Sequence, residues 1–184
     1  MSMDYYFYLR DTRGFSSQSF EAFCASVGYS VRLHPNANLV TDKGFLPACL
    51  TDERFTMDGN DRFLTGIDWF FAPHQPELEE KKPSGLRALF RRKAESPVQK
   101  QIRNSTVEMS AGCHFIDAFE LLIAHLLGAY LIKSCGAVMY DPQSGMYYTD
   151  AAAVQETLNG LVKAMLASKE KGTLRVHPFE EWKS

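Results

Sequence analysis

The sequence predicts a single α+β domain over residues 1–184, in which an antiparallel or mixed sheet packs against about three helices. The chain has 184 residues, of which 45% are hydrophobic and 23% charged, a globular composition that excludes disorder along the whole chain. Strand and helix patterns follow one another in the order β-α-β, irregular β and then β-α-β-β-α, and no repeat of fixed period is present.

The first elements are a strand, a helix and a second strand. Asp4–Arg10 is rich in aromatic residues, which favours a strand, and we expect that strand to be covered on both faces. Ser16 or Ser17 can cap the helix that follows, and Gly28 stands where a helix ends. Tyr29–Leu33 alternates apolar and polar residues, which predicts a strand with one wet face. The helix is indicated by an apolar stripe at helical spacing: Phe20, Phe23, Cys24 and Val27.

The next part of the chain is less regular. Gly44–Pro47 indicates a short strand or a bend that buries Phe45 and Leu46. Arg62–Ala72 predicts a longer strand, in which Gly66 marks a bulge.

Residues 73–103 predict a charged surface insert. The stretch from Glu77 to Arg103 contains eight basic and four acidic residues, so it carries +4 while the rest of the chain carries −6. Leu86, Leu89 and Phe90 give it one short amphipathic turn. We therefore expect a mobile excursion with a small helix, and no second domain.

The longest helix is predicted after a returning strand at Asn104–Ser110. Residues 112–133 are apolar on most sides when placed on a helix, which indicates a central, buried element. Gly136 follows as a signal for the end of that helix.

The last elements are a hairpin and a second long helix. Ala137–Tyr140 and Met146–Thr149 flank a glycine-containing loop, which predicts the hairpin. Asp150 can cap the last helix, and Leu174–Val176 is compatible with one more short strand.

Composition favours a cytoplasmic protein that does not enter membranes. The four cysteines form no CxxC pair, which fits reduced thiols, and Asp4 comes too early for a signal peptide. The longest apolar stretch, Ala118–Ile132, is shorter than the ~20 residues that span a bilayer.

The strongest enzymatic alternative is a small hydrolase or transferase that uses Cys113, His114, Glu120, His125 or Asp141, which requires several of them to converge in one pocket. Cys113 and His114 are adjacent and would project ~100° apart on a helix. His114 and His125 would share a helix face but lie three turns, or ~16 Å, apart, too far to bind one metal. We therefore expect no metal site and no cofactor, and the sequence carries no GxSxG, GxGxxG or P-loop motif.

A second alternative is nucleic-acid binding through the basic insert. Arg91, Arg92 and Lys93 form a dense basic patch that could neutralise phosphates. Only Phe90 lies nearby as a stacking group, and no RRM or KH signature accompanies it. A solvated loop or a loop that binds a protein partner explains the insert more simply.

Acidic residues suggest a different kind of surface. Five acids occur within 17 residues: Asp52, Glu53, Asp58, Asp61 and Asp68. On one face they would attract a basic protein and speed its capture, although solvated turn residues explain them as well. Asp141 in the hairpin loop can likewise be explained by a turn aspartate that bonds its own backbone.

In two motifs the chain resembles a poorly characterised bacterial family that is associated with antibacterial toxin loci. The first is the Gly-Phe-Leu-Pro step at Gly44–Pro47. The second follows the long apolar helix and has the form Gly-x-Val-x-x-Asp-Pro-Gln-x-Gly, here Gly136–Gly145. The resemblance covers most of the chain, attaches no catalytic residues to these motifs, and implies an immunity protein, which neutralises a cognate toxin.

The resulting hypothesis is a non-enzymatic cytoplasmic binding protein that occludes the active site of a cognate protein toxin. The −6 body favours a basic partner such as a nuclease. We expect the partner to contact the Asp52–Asp61 turn and the hairpin loop. The predicted interface residues are Asp52, Glu53, Asp58, Asp61, Asp141, Gln143 and Ser144.

Overall fold

A computed structural model describes residues 3–75, 95–114 and 117–176. Seven strands form one sheet in the order β2-β3-β4-β5-β1-β6-β7, and every neighbouring pair is antiparallel. The strands are β1 Met3–Leu9, β2 Ser30–Leu33, β3 Gly44–Thr51, β4 Arg62–Pro73, β5 Val107–Cys113, β6 Val138–Asp141 and β7 Met146–Tyr148. The helices are α1 Ser17–Ser26, α2 Pro97–Arg103, α3 Ala118–Cys135 and α4 Ala151–Glu170, with a 3-10 turn at Glu53–Phe55. The predicted α+β class is confirmed.

One face of the sheet forms the core together with α3. On β1 the side chains of Tyr5, Phe7 and Leu9 are buried, whereas the residues between them are partly or fully exposed. β1 therefore has one covered face, and the expectation that both faces are covered is wrong. The cause is that aromatic content favours a strand but does not report how many of its faces are buried.

Helix α3 lies across the buried face and contacts β4, β5, β1 and β6. Gly128 permits a close approach, because a β-carbon there would lie 2.5 Å from the Met139 sulfur and 3.2 Å from the Phe7 ring. Among the described residues, α3 is the one helix long and apolar enough to cross a membrane, but 72% of that segment is buried inside the protein. Its hydrophobicity is therefore explained by its central position, as predicted from the sequence.

Helix ends and turns follow the predicted signals. Ser16 accepts a hydrogen bond from the Ser19 backbone N–H in a capping box before α1. Asp150 caps α4 by accepting a hydrogen bond from the Ala152 backbone N–H. Gly136 takes the left-handed conformation that closes α3, with φ of 61°. Within the segment Asp52–Asp61, Met57 and Asn60 close a turn, with positive φ at Asp58 and Gly59. These features are local, which is why the sequence predicts them.

The boundary between β5 and α3 differs from the prediction. β5 was expected to end at Ser110 but continues through Cys113, and α3 was expected from residue 112 but begins at Ala118. Ala111 favours a helix and Gly112 favours neither element, so pairing with β1 and β4 decides in favour of the strand. Cys113 and His114 therefore do not lie on the long helix, so His114 and His125 do not share a helix face.

The predicted bulge at Gly66 is wrong, since Gly66 pairs with Pro47 in the regular register of β3 and β4. Its lack of a side chain serves a different purpose. A β-carbon on Gly66 would lie 2.3 Å from the Phe45 ring and 2.7 Å from the Leu46 carbonyl oxygen. The Phe45 ring thus rests on the glycine and remains 52% exposed, whereas Leu46 is buried as predicted.

The ends of the expected insert are regular structure. Pro73 is the last residue of β4, and α2 occupies residues 97–103, which makes four α-helices in the described part of the chain where about three were predicted. The amphipathic turn predicted at Leu86–Phe90 lies outside the described residues. Leu174–Val176 is not a strand, although Leu174 is buried against the core.

Candidate protein-binding face

The second face of the sheet carries a row of aromatic side chains. The strand registers align Tyr147 with Tyr140, Tyr140 with Tyr6, Tyr6 with Ser110, and Ser110 with Phe70. Because directly paired residues point to the same face, this row crosses β7, β6, β1, β5 and β4 on the side opposite to Tyr5 and Phe7. We call the face that bears this row the open face.

The aromatic row is accessible to solvent. Phe70 is 48% and Tyr147 46% exposed, while Tyr6, Tyr140 and Ser110 are partly exposed. The rings of Tyr140 and Tyr147 stack with their centroids 4.5 Å apart, and Tyr6 lies 6.5 Å from Tyr140. Neighbouring rings thus hold one another in position, which produces an ordered apolar surface that none of the described helices covers.

Carboxylates border the row on both sides. Asp4 and Asp68 both pair with Gly112 in the register next to the row, and Gly112 has no side chain to separate them. A β-carbon on Gly112 would lie 3.1 Å from a carboxylate oxygen of Asp4 and 3.3 Å from the β-carbon of Asp68. On the other side of the row, Glu108 stands beside Tyr8.

Two histidines fix two of these carboxylates. His74 Nδ1 lies 3.0 Å from a Glu108 carboxylate oxygen, and the His74 ring packs edge-on against Tyr8. His114 Nε2 lies 2.7 Å from a carboxylate oxygen of Asp68. The carboxylates are therefore oriented before any partner arrives, which lowers the entropy lost on binding.

The electrostatic field of the acids reaches the tyrosine hydroxyls. The pKa of Tyr6 is raised by burial and then by the charges of Asp4 and Glu108. Burial raises the pKa of Tyr8 to about 12, with Glu108 the next cause. The open face is thus both aromatic and electronegative, and the aligned positions of β1, β5, β6 and β7 on it carry no lysine or arginine.

This combination suits a basic protein surface. Aromatic residues, tyrosine above all, are enriched where proteins bind one another, because they bury a large area at a low entropic cost. Aromatic faces and carboxylates both attract cationic side chains. The arrangement therefore offers contact area and negative charge to such a surface.

The predicted acidic turn lies elsewhere, before and at the start of β4. Asp52 is largely buried and caps the 3-10 turn, accepting hydrogen bonds from the backbone and side chain of Arg54. Glu53 and Asp58 are exposed and Asp61 is partly exposed. Asp52 therefore has a structural role, and Glu53 and Asp58 are the most accessible acids of the turn.

The predicted hairpin loop is likewise a self-contained turn. Asp141 accepts hydrogen bonds from the backbone N–H of Gln143 at 2.9 Å and from the hydroxyl of Ser144 at 2.8 Å. This is the bonding that the structural explanation of Asp141 predicts. Gln143 and Ser144 are exposed.

These two predicted contact segments are separated in the sheet. The acidic turn adjoins β3 and β4, whereas the loop joins β6 to β7, and three steps of about 4.8 Å separate β4 from β6. Asp68 is remote from the turn as well, since it lies seven residues along β4 from Asp61, or about 23 Å in an extended strand. The five acids found in sequence therefore do not form one patch, and Asp68 belongs to the open face.

The residues of the enzymatic alternative divide between the two faces of the sheet. Cys113 is completely buried, and burial raises the pKa of its thiol, so the thiol is not activated as a nucleophile. Its neighbour His114 points instead to Asp68 on the open face. Glu120 accepts a hydrogen bond from the His114 backbone N–H, which ties the start of α3 to the end of β5.

His125 lies in the core on the same side as Cys113. Its Nδ1 is 2.8 Å from the Leu121 carbonyl oxygen, and its ring packs edge-on against Tyr5 at 5.0 Å. Burial lowers the pKa of His125, with an opposing effect from the nearby charge of Asp141. The imidazole is thus held neutral among apolar groups, an arrangement that suits packing.

Two further features of the described residues concern metal-ligating side chains and a surface cavity beside α2. Within residues 3–75, 95–114 and 117–176, no group of three histidine, cysteine or acidic side chains has the geometry to hold a metal ion. A surface cavity of about 410 Å³ between α2 and the end of α3 is lined by Arg10, Lys100 and Cys135, among others. The patch Arg91–Lys93, on which the nucleic-acid alternative rests, lies outside the described residues.

Sequence reasoning missed the open face as a site. Tyr6, Tyr140 and Phe70 were each assigned to strands, but they are separated by up to 134 positions in the chain. The available signal was the alternation of aromatic residues with buried ones along β1, which requires one aromatic set to face away from the core. The alignment across five strands depends on register, and register is not visible in a single sequence.

Comparisons with protein-family models, with curated proteins and with solved structures find no match to this chain.

Proposed function

We propose that the protein is a non-enzymatic binding protein whose open face docks a basic protein partner. The observation that carries this proposal is the solvent-exposed aromatic row bordered by Asp4, Glu108 and Asp68. A row that crosses five strands is about 19 Å long, which matches one dimension of an ordinary protein interface. Ordered carboxylates at its borders add attraction for cationic side chains.

The partner class that we propose is a cognate antibacterial toxin, so that the protein acts as an immunity protein in the cytoplasm. This part rests on the resemblance carried by Gly44–Pro47 and Gly136–Gly145. A rigid antiparallel sheet is well suited to cover a toxin's active site, because it presents a preformed surface. A basic nuclease is the toxin class that the charge of the open face favours.

Protection in a co-expression assay tests the proposal. The proposed toxin is expressed in cells with the intact protein or with a variant, and survival is measured. Tyr6→Glu and Phe70→Glu place a charge in the aromatic row, so we expect each to weaken toxin binding at least tenfold, as for central interface residues, and to lose protection.

Two control variants separate the open face from other surfaces. Asn159→Glu adds the same charge on the exposed side of α4 and should protect fully. Glu53→Lys alters the acidic turn predicted from sequence and should protect nearly as well as the intact protein. Loss of protection with Glu53→Lys but not with Tyr6→Glu would show that the partner binds the acidic turn and not the open face. No protection by the intact protein would refute the immunity role.

A further inference from the structure

On the open face, an exposed tyrosine ring lies between carboxylates. Tyr6 lies at the centre of β1 with Asp4 and Tyr8 two residues away on the same face, a spacing of about 7 Å. Across the pair with β5, Glu108 stands diagonal to Tyr6. A carboxylate therefore lies on each side of Tyr6 along the strand direction, Asp4 on one side and Glu108 on the other.

From this geometry we infer that the open face binds arginine side chains of the partner in preference to lysine, with the guanidinium stacked on the rings of Tyr6 and Tyr140 and hydrogen-bonded to Asp4 or Glu108. The inference rests on the proposed docking function and adds the chemistry that selects the partner. Arginine fits because its flat guanidinium stacks on an aromatic ring while its N–H groups still reach a carboxylate.

The aromatic surface supports a planar cation better than a compact one. Tyr140 stacks on Tyr147 on one side, at an interplanar angle of 21°, while on its other side Tyr6 lies with its ring centroid 6.5 Å away. Lysine carries a strongly hydrated point charge, which gains less from lying on such a surface. His74 Nδ1 lies 3.0 Å from one carboxylate oxygen of Glu108, so this side chain is already restricted before an arginine binds.

Charge complementarity identifies the occupant as basic. Two alternative occupants of this exposed sheet face are a second copy of this chain and an apolar peptide. A second copy would bring Asp4, Asp68 and Glu108 against the same three acids, because a symmetric contact places identical patches together. Like charges brought together in this way are repelled, which leaves a basic partner as the better fit.

Peptide binding to the full-length protein tests the preference for arginine. The probes are hexa-arginine and hexalysine peptides with blocked termini, at about 1 mM and below, in buffer of roughly 50 mM salt so that the charges are weakly screened. Binding is followed by nuclear magnetic resonance of the labelled protein, which gives both the affinity and the residues affected. We expect the arginine peptide to bind about three- to tenfold more tightly and to shift the signals of Tyr6, Ser110 and Tyr140.

Variants assign the effect to rings and charges separately. Tyr6→Leu keeps an apolar side chain but removes the stacking ring, so the two peptides should bind it with nearly equal affinity. Glu108→Gln should weaken both peptides, whereas Glu53→Gln removes the same charge from the acidic turn and should leave both affinities unchanged. Tyr140→Leu provides a second ring deletion in case Tyr6→Leu perturbs the fold.

Three outcomes overturn the inference. These are equal affinity of the intact protein for both peptides, an arginine preference that survives Tyr6→Leu and Tyr140→Leu, and no binding of the arginine peptide at all. Each of them leaves the proposed function intact if Tyr6→Glu still abolishes protection against the toxin. Loss of the proposed function would instead appear as full protection by Tyr6→Glu, whatever the peptides do.

Discussion

Both faces of the sheet carry aromatic residues, but the two sets of rings have different roles. On β1, Tyr5, Phe7 and Leu9 are buried beneath α3, while Tyr6 and Tyr8 alternate with them on the open face. The buried rings are held by packing on all sides, as where Phe7 lies 6.1 Å from Trp69. The open-face rings are held mainly by one another and remain in contact with water.

Acidic side chains differ between the faces in the same way. Near the buried face, Glu120 and Asp117 lie at the start of α3, where they serve the backbone of the loop before it and the helix end. On the open face, Asp4, Glu108 and Asp68 surround exposed rings. The difference indicates that the first set stabilises the fold, whereas the second set is available to a partner.

Truncating neighbouring rings on opposite faces of the sheet should give the largest difference in the free energy of unfolding. Phe7→Ala removes a completely buried ring and leaves a cavity, so we expect the free energy of unfolding to fall by about 3–5 kcal/mol. Tyr6→Ala removes a partly exposed ring and should cost about 1 kcal/mol or less. Chemical denaturation of both variants measures the contrast. Equal losses would mean that the open face is part of the folding core.

Two glycine-to-alanine substitutions should change the free energy of unfolding by an intermediate amount. Gly66→Ala introduces a β-carbon 2.7 Å from the Leu46 carbonyl oxygen, so β3 and β4 must shift apart and unfolding should become easier by about 1–3 kcal/mol. Gly160→Ala in α4 meets nothing within 4 Å and should stabilise the protein by about 0.5–1 kcal/mol. Thermal and chemical unfolding of the pair test this. A neutral Gly66→Ala would show that Phe45 and β3 adapt freely.

Replacing one charge beside Tyr8 should give the smallest effect, a change in the alkaline titration of that residue. Its pKa is raised from 10.0 to about 12 in the folded protein, so the unfolded chain loses this proton at lower pH. The associated stability is complete below pH 10 and is lost as the pH rises from 10 to about 12. Glu108→Gln removes one cause of the shift and should lower the pKa of Tyr8, whereas Glu53→Gln should not. Phenolate absorbance measures the difference, and identical curves for both variants would place Glu108 away from the hydroxyl.

The sequence predicted features that depend on neighbouring residues. Gly136 and Asp150 are predicted correctly, and Ser16 is one of the two predicted caps of α1, because a cap needs only the residue type and the start or end of an apolar stripe. The α+β class followed from the order of such elements. The buried character of α3 followed from its apolar residues on all sides.

Features that depend on distant pairing were not predictable in this way. The extension of β5 through Cys113 is set by hydrogen bonding to β1 and β4, and its own residues do not favour a strand over a helix. The open face requires β1, β4 and β6 in one register, although Tyr6 and Tyr140 are 134 positions apart. The acids of the turn at residues 52–61 were visible as a cluster because they are close in sequence, which says little about a shared surface.

The central claim is that the open face is where the partner binds. Its most direct test is a nuclear magnetic resonance map of the isotope-labelled protein with and without the cognate toxin. The account predicts that the largest changes fall on the amides of Tyr6, Ser110 and Tyr140. Changes confined to the turn at residues 52–61 or to the hairpin loop at residues 141–145, with an unaffected sheet, would contradict it.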